Sequence, residues 1–305
     1  MKKRLLVVIG PTTSGKSALA VALAKKFSGE VVSADSRQVY KDLDIGTGKI
    51  TRKEKAGIPH HCLDIASSKR QITVEEYRKH AEKALEEIWA RGKLPIIIGG
   101  TGFYIQALVD KVVFPHVPPN KILRKRLEKK SAQELFLILK KLDPARARTI
   151  EPKNPRRLIR AIEIAKTLGK VPQLKRRKKE LDALFMGIKI SPQILKKNIE
   201  RRAIERLRQG MIAEAQRLRA RGLSLKRMRE LGLEYRYLAD FLQDKISKKE
   251  LRQKIISGNW QYAKRQLRWF NRDKRIKWFD ISKKQERKKL ERSVRKFLDI
   301  DTIQK

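Results

Sequence analysis

Residues 7–24 read VVIGPTTSGKSALAVALA: an apolar strand, a Gly-rich turn and an apolar helix in immediate succession. The turn, Gly10-Pro11-Thr12-Thr13-Ser14-Gly15-Lys16-Ser17, fits G-x-x-x-x-G-K-[ST]. That spacing suits consecutive backbone N–H groups wrapped around a phosphate chain, with Lys16 adding a point charge and the Ser17 hydroxyl reaching a magnesium ion. A strand feeding directly into such a loop and helix commits the chain to a parallel sheet with ligands at the strands' C-terminal ends. Whose phosphate is held is left open by the loop alone.

The remaining pattern agrees with that architecture. Leu5–Ile9 is the first strand and the loop leads into a helix over about 16–27. A second strand, Glu30–Ala34, ends at Asp35. Thr73-Val-Glu-Glu76 is a capping box. Val74, Tyr77, Ala81, Ala84, Leu85 and Ile88 then recur at helical spacing until Gly92 stops the run. Leu94–Ile98 is another buried strand, and GGTG at 99–102 turns into a helix from Phe103. The pattern breaks at 112–117, and Pro115, Pro118 and Pro119 mark a boundary. From Asn120 to about Asp182 the chain reads as helical and very basic, LFMGIKI at 184–190 returns to the sheet, and helical patterns fill the rest. The expected organisation is a catalytic core over 1–118, an all-helical basic insert over 119–183, and a core continuation over 184–305 with one strand and C-terminal helices. The last stretch, KKQERKKLERSVRKF, reads as a solvated helix.

Composition narrows the partners. Lys and Arg total 76 against 33 Asp and Glu, a net charge of +43. Such an excess calls for a polyanion, and nucleic acid is the usual one. Heat adaptation raises Glu together with Lys, and here the acids do not keep pace. The single cysteine, Cys62, excludes an intrachain disulfide framework or zinc cluster and points to a reducing cytoplasm. The apolar run after MKKR is five residues long and enters the phosphate loop, so it is a strand and not a signal sequence. No run is long enough to cross a membrane.

The chemistry turns on the segment after the second strand. A motor ATPase needs an acid after a long apolar strand, but the 94–98 strand ends in Gly-Gly-Thr. Asp35, at a strand end beside the phosphate loop, is placed to take a proton from an acceptor; from position alone a metal-shell or capping role fits as well.

Seven motifs in order then resemble one family: GPTTSGKS at 10–17, ADSRQVY at 34–40, DIGTGK at 44–49, IPHHCLDI at 58–65, IIIGGTGFY at 96–104, NPRRLIRAIEI at 154–164 and YAKRQLRWF at 262–270. The chain resembles the tRNA dimethylallyltransferases from Leu5 to about Phe270. The resemblance implies prenyl transfer from dimethylallyl diphosphate to N6 of the adenosine 3′ to the anticodon, with magnesium as cofactor. It assigns the phosphate loop to the donor's diphosphate, Asp35 to general-base catalysis, and Thr101 to a hydrogen bond near the reacting atoms, beside a helix N-cap role. It makes Asp35, Ser36, Arg37 and Gln38 the lining of a channel for a flipped base. It places tRNA contacts at Arg124, at Arg156, Arg157, Leu158, Ile159 and Arg160, and at Lys264, Arg265 and Gln266; for the charged positions the competing role is a salt bridge to a core acid. The expected partners are the anticodon stem-loop and the donor, and the enzyme is expected to be a cytoplasmic monomer. His60 and His61 are read as structural, since neighbours on an extended segment face opposite sides.

Three positions depart from the family pattern. Asn198 stands where an Arg is usual, leaving Lys197, Arg201 or Arg202 to replace it. The Gly-Tyr pair appears as Gly232-Leu-Glu-Tyr235, and Arg268 replaces a Thr. Two rival enzymes remain, an adenylate isopentenyltransferase acting on free AMP, ADP or ATP and a small-molecule kinase. A third rival is an RNA-binding protein whose phosphate loop is only structural.

Overall fold

The computed structural model describes residues 3–173, 175–176 and 181–299. Its strands are β1 (Lys3–Ile9), β2 (Gly29–Ser33), β3 (His60–His61), β4 (Leu94–Gly99), β5 (Val112–Val113), β6 (Lys175–Arg176), β7 (Leu181–Ile188) and β8 (Lys277–Phe279). The main sheet has the order β3-β2-β4-β1-β7-β8, and every pairing in it is parallel. Val7 faces Ile97 on one side and Phe185 on the other, and Val32 also faces Ile97. β1 and β4 are covered on both faces, which is why they read as continuous apolar runs and not as alternating ones.

Two apolar layers follow from the strand alternation. Leu5, Val7 and Ile9 point into one, with Tyr77, Leu85 and Ile88 of the Val74–Ala90 helix and Leu251 and Ile255 of the Lys248–Phe270 helix. Leu6 and Val8 point into the other, with Ala20, Leu23 and Ala24 of the Lys16–Lys26 helix and Leu290 and Val294 of the Lys284–Phe297 helix. The capping box at Thr73 forms: Glu76 N–H donates to Thr73 Oγ1 at 3.1 Å, and Thr73 N–H to Glu76 Oε2 at 2.8 Å.

The chain divides into two compact units, one of Met1–Asp110 with Lys178–Lys305 and one of Lys111–Arg177. The smaller unit packs its helices around Leu127, Leu135, Leu139, Leu158 and Ile162. It also carries an antiparallel ribbon, β5 with β6, in a stretch the sequence pattern gave to helix and boundary; two-residue strands leave no periodicity to detect. β8 likewise falls where the sequence reads as helical. Its three residues, KWF, are too few to show a period of two. Among the described residues no helix is long and apolar enough to cross a membrane.

Candidate active site

β1, β4 and β2 are neighbours, so the loops at their C-terminal ends converge. After β1 the chain turns at Gly10–Gly15 and enters the helix at Lys16. Gly15 has φ 89°, the left-handed conformation that glycine adopts at no steric cost. No side chain caps this helix start, so its first N–H groups point outward as an anion site. Among the described residues, Thr13 Oγ1 and Ser14 Oγ are buried without a hydrogen-bond partner, and Lys16 Nζ donates only to the Pro11 carbonyl, at 3.2 Å. Burial pulls the Lys16 ammonium down to about 8; Arg202 and Arg206 pull the same way and Asp35 opposes them. The loop therefore sets unsatisfied hydroxyls beside a destabilised cation, the signature of a site built for an anion.

β2 delivers Asp35. Its Oδ1 accepts from the N–H groups of Arg37 at 2.8 Å and Gln38 at 3.4 Å, which fixes the 35–38 turn. Asp35 Oδ2 accepts no hydrogen bond among the described residues. Thr101 does not cap the helix that follows it. Its Oγ1 instead accepts from Ser36 N–H at 3.0 Å and lies 3.3 Å from Ser36 Oγ, which ties the GGTG turn to the Asp35 turn. Gly99 is required there: a Cβ would sit 2.2 Å from the Ala34 carbonyl oxygen. Gln266, buried, ties the remaining pair of loops. Its Oε1 accepts from Thr12 N–H at 2.8 Å and its Nε2 donates to Gly100 O at 2.9 Å.

These turns open into one cleft lined by Thr12, Lys16, Ser17, Asp35, Arg37, Gln38 and Gln266 among others. Its far wall comes from the Pro192–Arg208 helix, where Asn198, Arg202 and Arg206 recur every four residues on one side. Asn198 Nδ2 lies 3.4 Å from Thr13 O. Of the three candidates to replace the family Arg, Arg202 lines the cleft, whereas Arg201 lies near Glu205 at 3.8 Å, and both side chains are exposed. Arg202 Nη2 donates to Gly48 O at 3.1 Å, and burial lowers its guanidinium to about 10, with Arg206 adding to the effect. Arg206, also in the wall, pairs with the buried carboxylate of Glu234 at 3.1 Å, and Asn259 Nδ2 donates to the same oxygen at 2.9 Å. Its Nε is buried without a partner.

A second buried carboxylate supports the DIGTGK loop from beneath. Glu214 accepts from three successive backbone N–H groups, Asp44 at 3.0 Å, Ile45 at 2.7 Å and Gly46 at 2.9 Å, and from the Tyr235 hydroxyl at 2.6 Å. Burial, and then Glu214, hold the Tyr235 phenol well above its ordinary range, so it remains a donor. The loop so anchored presents Gly48 O to both Gln38 Nε2, at 3.2 Å, and Arg202. Sequence reading missed Arg206, Glu214, Glu234 and Tyr235. The four-residue spacing of 198, 202 and 206 was the available signal for the arginine; nothing local announces the two carboxylates.

The histidines do face opposite ways. His61 Nε2 meets Glu30 at 2.7 Å beside Arg91. His60, with Nδ1 2.8 Å from Ile58 O, lines the cleft, so it belongs to the site as well as to the sheet edge.

The basic residues divide. Lys264 and Arg265 are exposed and make no ion pair among the described residues; they lie over the Trp260 and Tyr262 rings at 5.7 and 5.8 Å. In the smaller unit, Arg124 and Arg160 both grip the buried Glu163, at 2.7 and 2.5 Å. Leu158 and Ile159 are buried in that unit's core, so any RNA contact there falls to their backbone. Arg157 meets only the exposed Glu151, at 3.1 Å, and Arg156 makes no ion pair among the described residues. Among the described residues no three His, Cys, Asp or Glu side chains are grouped to hold a metal. Ser17, on the cleft, suits a magnesium ion that takes most of its oxygens from phosphate and water.

Known proteins resemble this chain along most of its length. The family model described as IPP transferase matches residues 38–273. The tRNA dimethylallyltransferase of Anoxybacillus flavithermus is 38% identical over 92% of each chain. That of Pelotomaculum thermopropionicum is 39% identical over 92% of this chain and 91% of its own. The solved full-length tRNA isopentenylpyrophosphate transferase of Bacillus halodurans superposes with a TM-score of 0.73, at 32% identity, over 99% of this chain and 98% of its own. A eukaryotic dimethylallyltransferase solved acting on tRNA superposes with a TM-score of 0.77, at 28% identity, over 91% of this chain and 73% of its own. Matched by that family model over most of its length and similar to these enzymes from end to end, this chain belongs to the IPP transferase family.

Proposed function

We infer that this chain is a tRNA dimethylallyltransferase, moving the dimethylallyl group of dimethylallyl diphosphate to N6 of the adenosine 3′ to the anticodon. One observation carries the reading: Lys16 and Asp35 open into the same cleft from neighbouring loops. Loop N–H groups, Lys16 and Arg202 take the diphosphate. The adenine enters opposite them, flipped out of its stack, against Asp35, Ser36, Arg37 and Gln38. The N6 lone pair attacks the allylic carbon, the carbon–oxygen bond breaks, and its electron pair leaves on the diphosphate. The N6 proton passes to Asp35, whose Oδ1 is held by the turn while Oδ2 is left to receive it. Thr101, bonded to Ser36, holds the Asp35 turn against the GGTG turn. Ser17 would hold magnesium with the donor, and the bound ion would neutralise charge on the leaving diphosphate. Arg156, Arg157, Lys264 and Arg265 supply cations for the stem-loop backbone, with Arg124 and Arg160 braced on Glu163.

Free adenylate is the weaker acceptor on this reading, since it needs neither a net charge of +43 nor a basic second unit. The test is nucleoside mass spectrometry of tRNA after incubation with dimethylallyl diphosphate and magnesium, with AMP in parallel. Prenylated adenosine is expected in tRNA and not in AMP. Asp35→Ala is expected to slow turnover by ~10²–10⁴-fold, the usual worth of a positioned base, with donor binding retained. Prenylation of AMP alone, or a near-normal Asp35→Ala enzyme, overturns the assignment.

A further inference from the structure

The Lys284–Phe297 helix buries Leu290 and Val294 beneath the sheet and turns its other side to solvent. On that side Lys284, Lys288, Arg292 and Lys296 recur every four residues, all four exposed. Four residues advance a helix by ~6 Å, so the row is ~18 Å long. None of the four makes an ion pair among the described residues. The helix's two acids are committed elsewhere: Glu286 to Lys289, and Glu291 to Lys26 and Arg295. Like charges at this spacing repel and weaken a helix. The sequence could have relieved the repulsion by putting an acid into the row, and instead both acids lie off it.

The row also has a direction. Its start adjoins the phosphate loop, because Ile281 lies 3.5 Å from where a Cβ on Gly15 would be. Its end lies by the opening of β1, where Asp299 pairs with Arg4. It thus leads from the cleft end of the sheet toward the other end. It lies on the opposite face of the sheet from the Lys248–Phe270 helix, which carries Lys264 and Arg265.

We propose that this row is a track for tRNA phosphates outside the anticodon stem-loop. A repulsive line of cations, one per helical turn, is complementary to a backbone carrying one negative charge per nucleotide. A stem-loop engaged at Lys264 and Arg265 faces the other side of the sheet, so the phosphates reaching the row come from another part of the same molecule. The proposal rests on tRNA being the acceptor.

The experiment replaces Lys284, Lys288, Arg292 and Lys296 together by Gln and measures affinity against salt for full-length tRNA and for the isolated anticodon stem-loop. Thermal unfolding, donor binding and stem-loop turnover serve as controls for the fold and the active site. For full-length tRNA the slope of log affinity against log salt should flatten by roughly two to four, at near 0.9 per phosphate contact. The stem-loop slope and turnover should not change. An unchanged slope for full-length tRNA overturns the track, as does an equal change for both RNAs. Loss of binding to vesicles of anionic phospholipid with the tRNA slope intact would reassign the row to a membrane surface. Failure of wild-type stem-loop turnover would instead strike at the assigned function, independently of the row.

Discussion

Lys16 gives the sharpest test of the donor site, because its two states predict opposite pH trends. With no donor bound, burial and the neighbouring Arg202 and Arg206 hold its ammonium at about 8, against 10.5 for an ordinary lysine. A bound diphosphate restores the lost stabilisation and raises the group toward or above its ordinary value. Donor affinity is therefore full below pH 8 and falls as pH rises through it, by up to tenfold per pH unit until the bound-state value is reached. Solvent access to the half-buried side chain moderates the effect, so dimethylallyl diphosphate should bind on the order of ten- to thirtyfold more weakly at pH 9.5 than at pH 7. Stability of the ligand-free protein responds the other way. Between 8 and 10.5 the unfolded chain holds the Lys16 proton and the folded chain has lost it, so this group's contribution to stability rises with pH across that interval. The assay is calorimetric titration of the donor from pH 7 to 9.5, with Lys16→Met as the control that removes the donor's own ionisation from the comparison. The variant should bind weakly at every pH and without the decline. A flat wild-type profile, or the same decline in Lys16→Met, refutes the reasoning.

Two further outcomes follow from the supporting residues. In Glu214→Gln one amide oxygen faces four donors; Tyr235 can turn to accept, but one backbone N–H of residues 44–46 loses its partner, at about 1–3 kcal/mol, and the surviving bonds fall from charge-assisted to neutral, for a total of about 3–5 kcal/mol. Urea unfolding checks this, and a loss under ~1 kcal/mol would mean the clamp is not what holds the loop. Replacing Arg156 and Arg157 by Gln should flatten the salt slope of stem-loop binding by about one to two while leaving stability and donor affinity alone; Arg160 is left in place because its loss would take one of two guanidinium partners from the buried Glu163. An unchanged slope would show those two arginines to be merely solvated.

What the sequence made legible has a common physical basis, and so does what it hid. The phosphate loop, Asp35 and the GGTG turn sit at strand ends, where the backbone itself dictates residue type: a left-handed position at Gly15, a contact too close for a Cβ at Gly99. Such demands are local and leave local marks. Arg206, Glu234 and Glu214 answer demands created only by assembly. The phosphate loop and the Pro192–Arg208 helix bring three cations, Lys16, Arg202 and Arg206, to one cleft, where burial and then the two arginines lower Lys16, and burial and then Arg206 lower Arg202. Glu234 then steadies Arg206 from the buried side, so that the exposed side of the cluster is left for the substrate's charge. Glu214 does for the 44–46 backbone what the loop does for a phosphate, with the polarity of protein and ligand exchanged: three successive N–H groups close on an anion that the fold itself supplies. The same logic separates the insert's arginines. Arg124 and Arg160 look like Arg156 and Arg157 in sequence, and only the placement of Glu163 divides braced cations from available ones. A cation's role in this protein is thus set by where its few acids fall, 33 against 76 bases. Where a buried acid claims bases, as Glu163 and Glu234 do, the cations left over mark the surfaces that a polyanion can meet, and the row on the Lys284–Phe297 helix, without an ion pair among the described residues, is one of them.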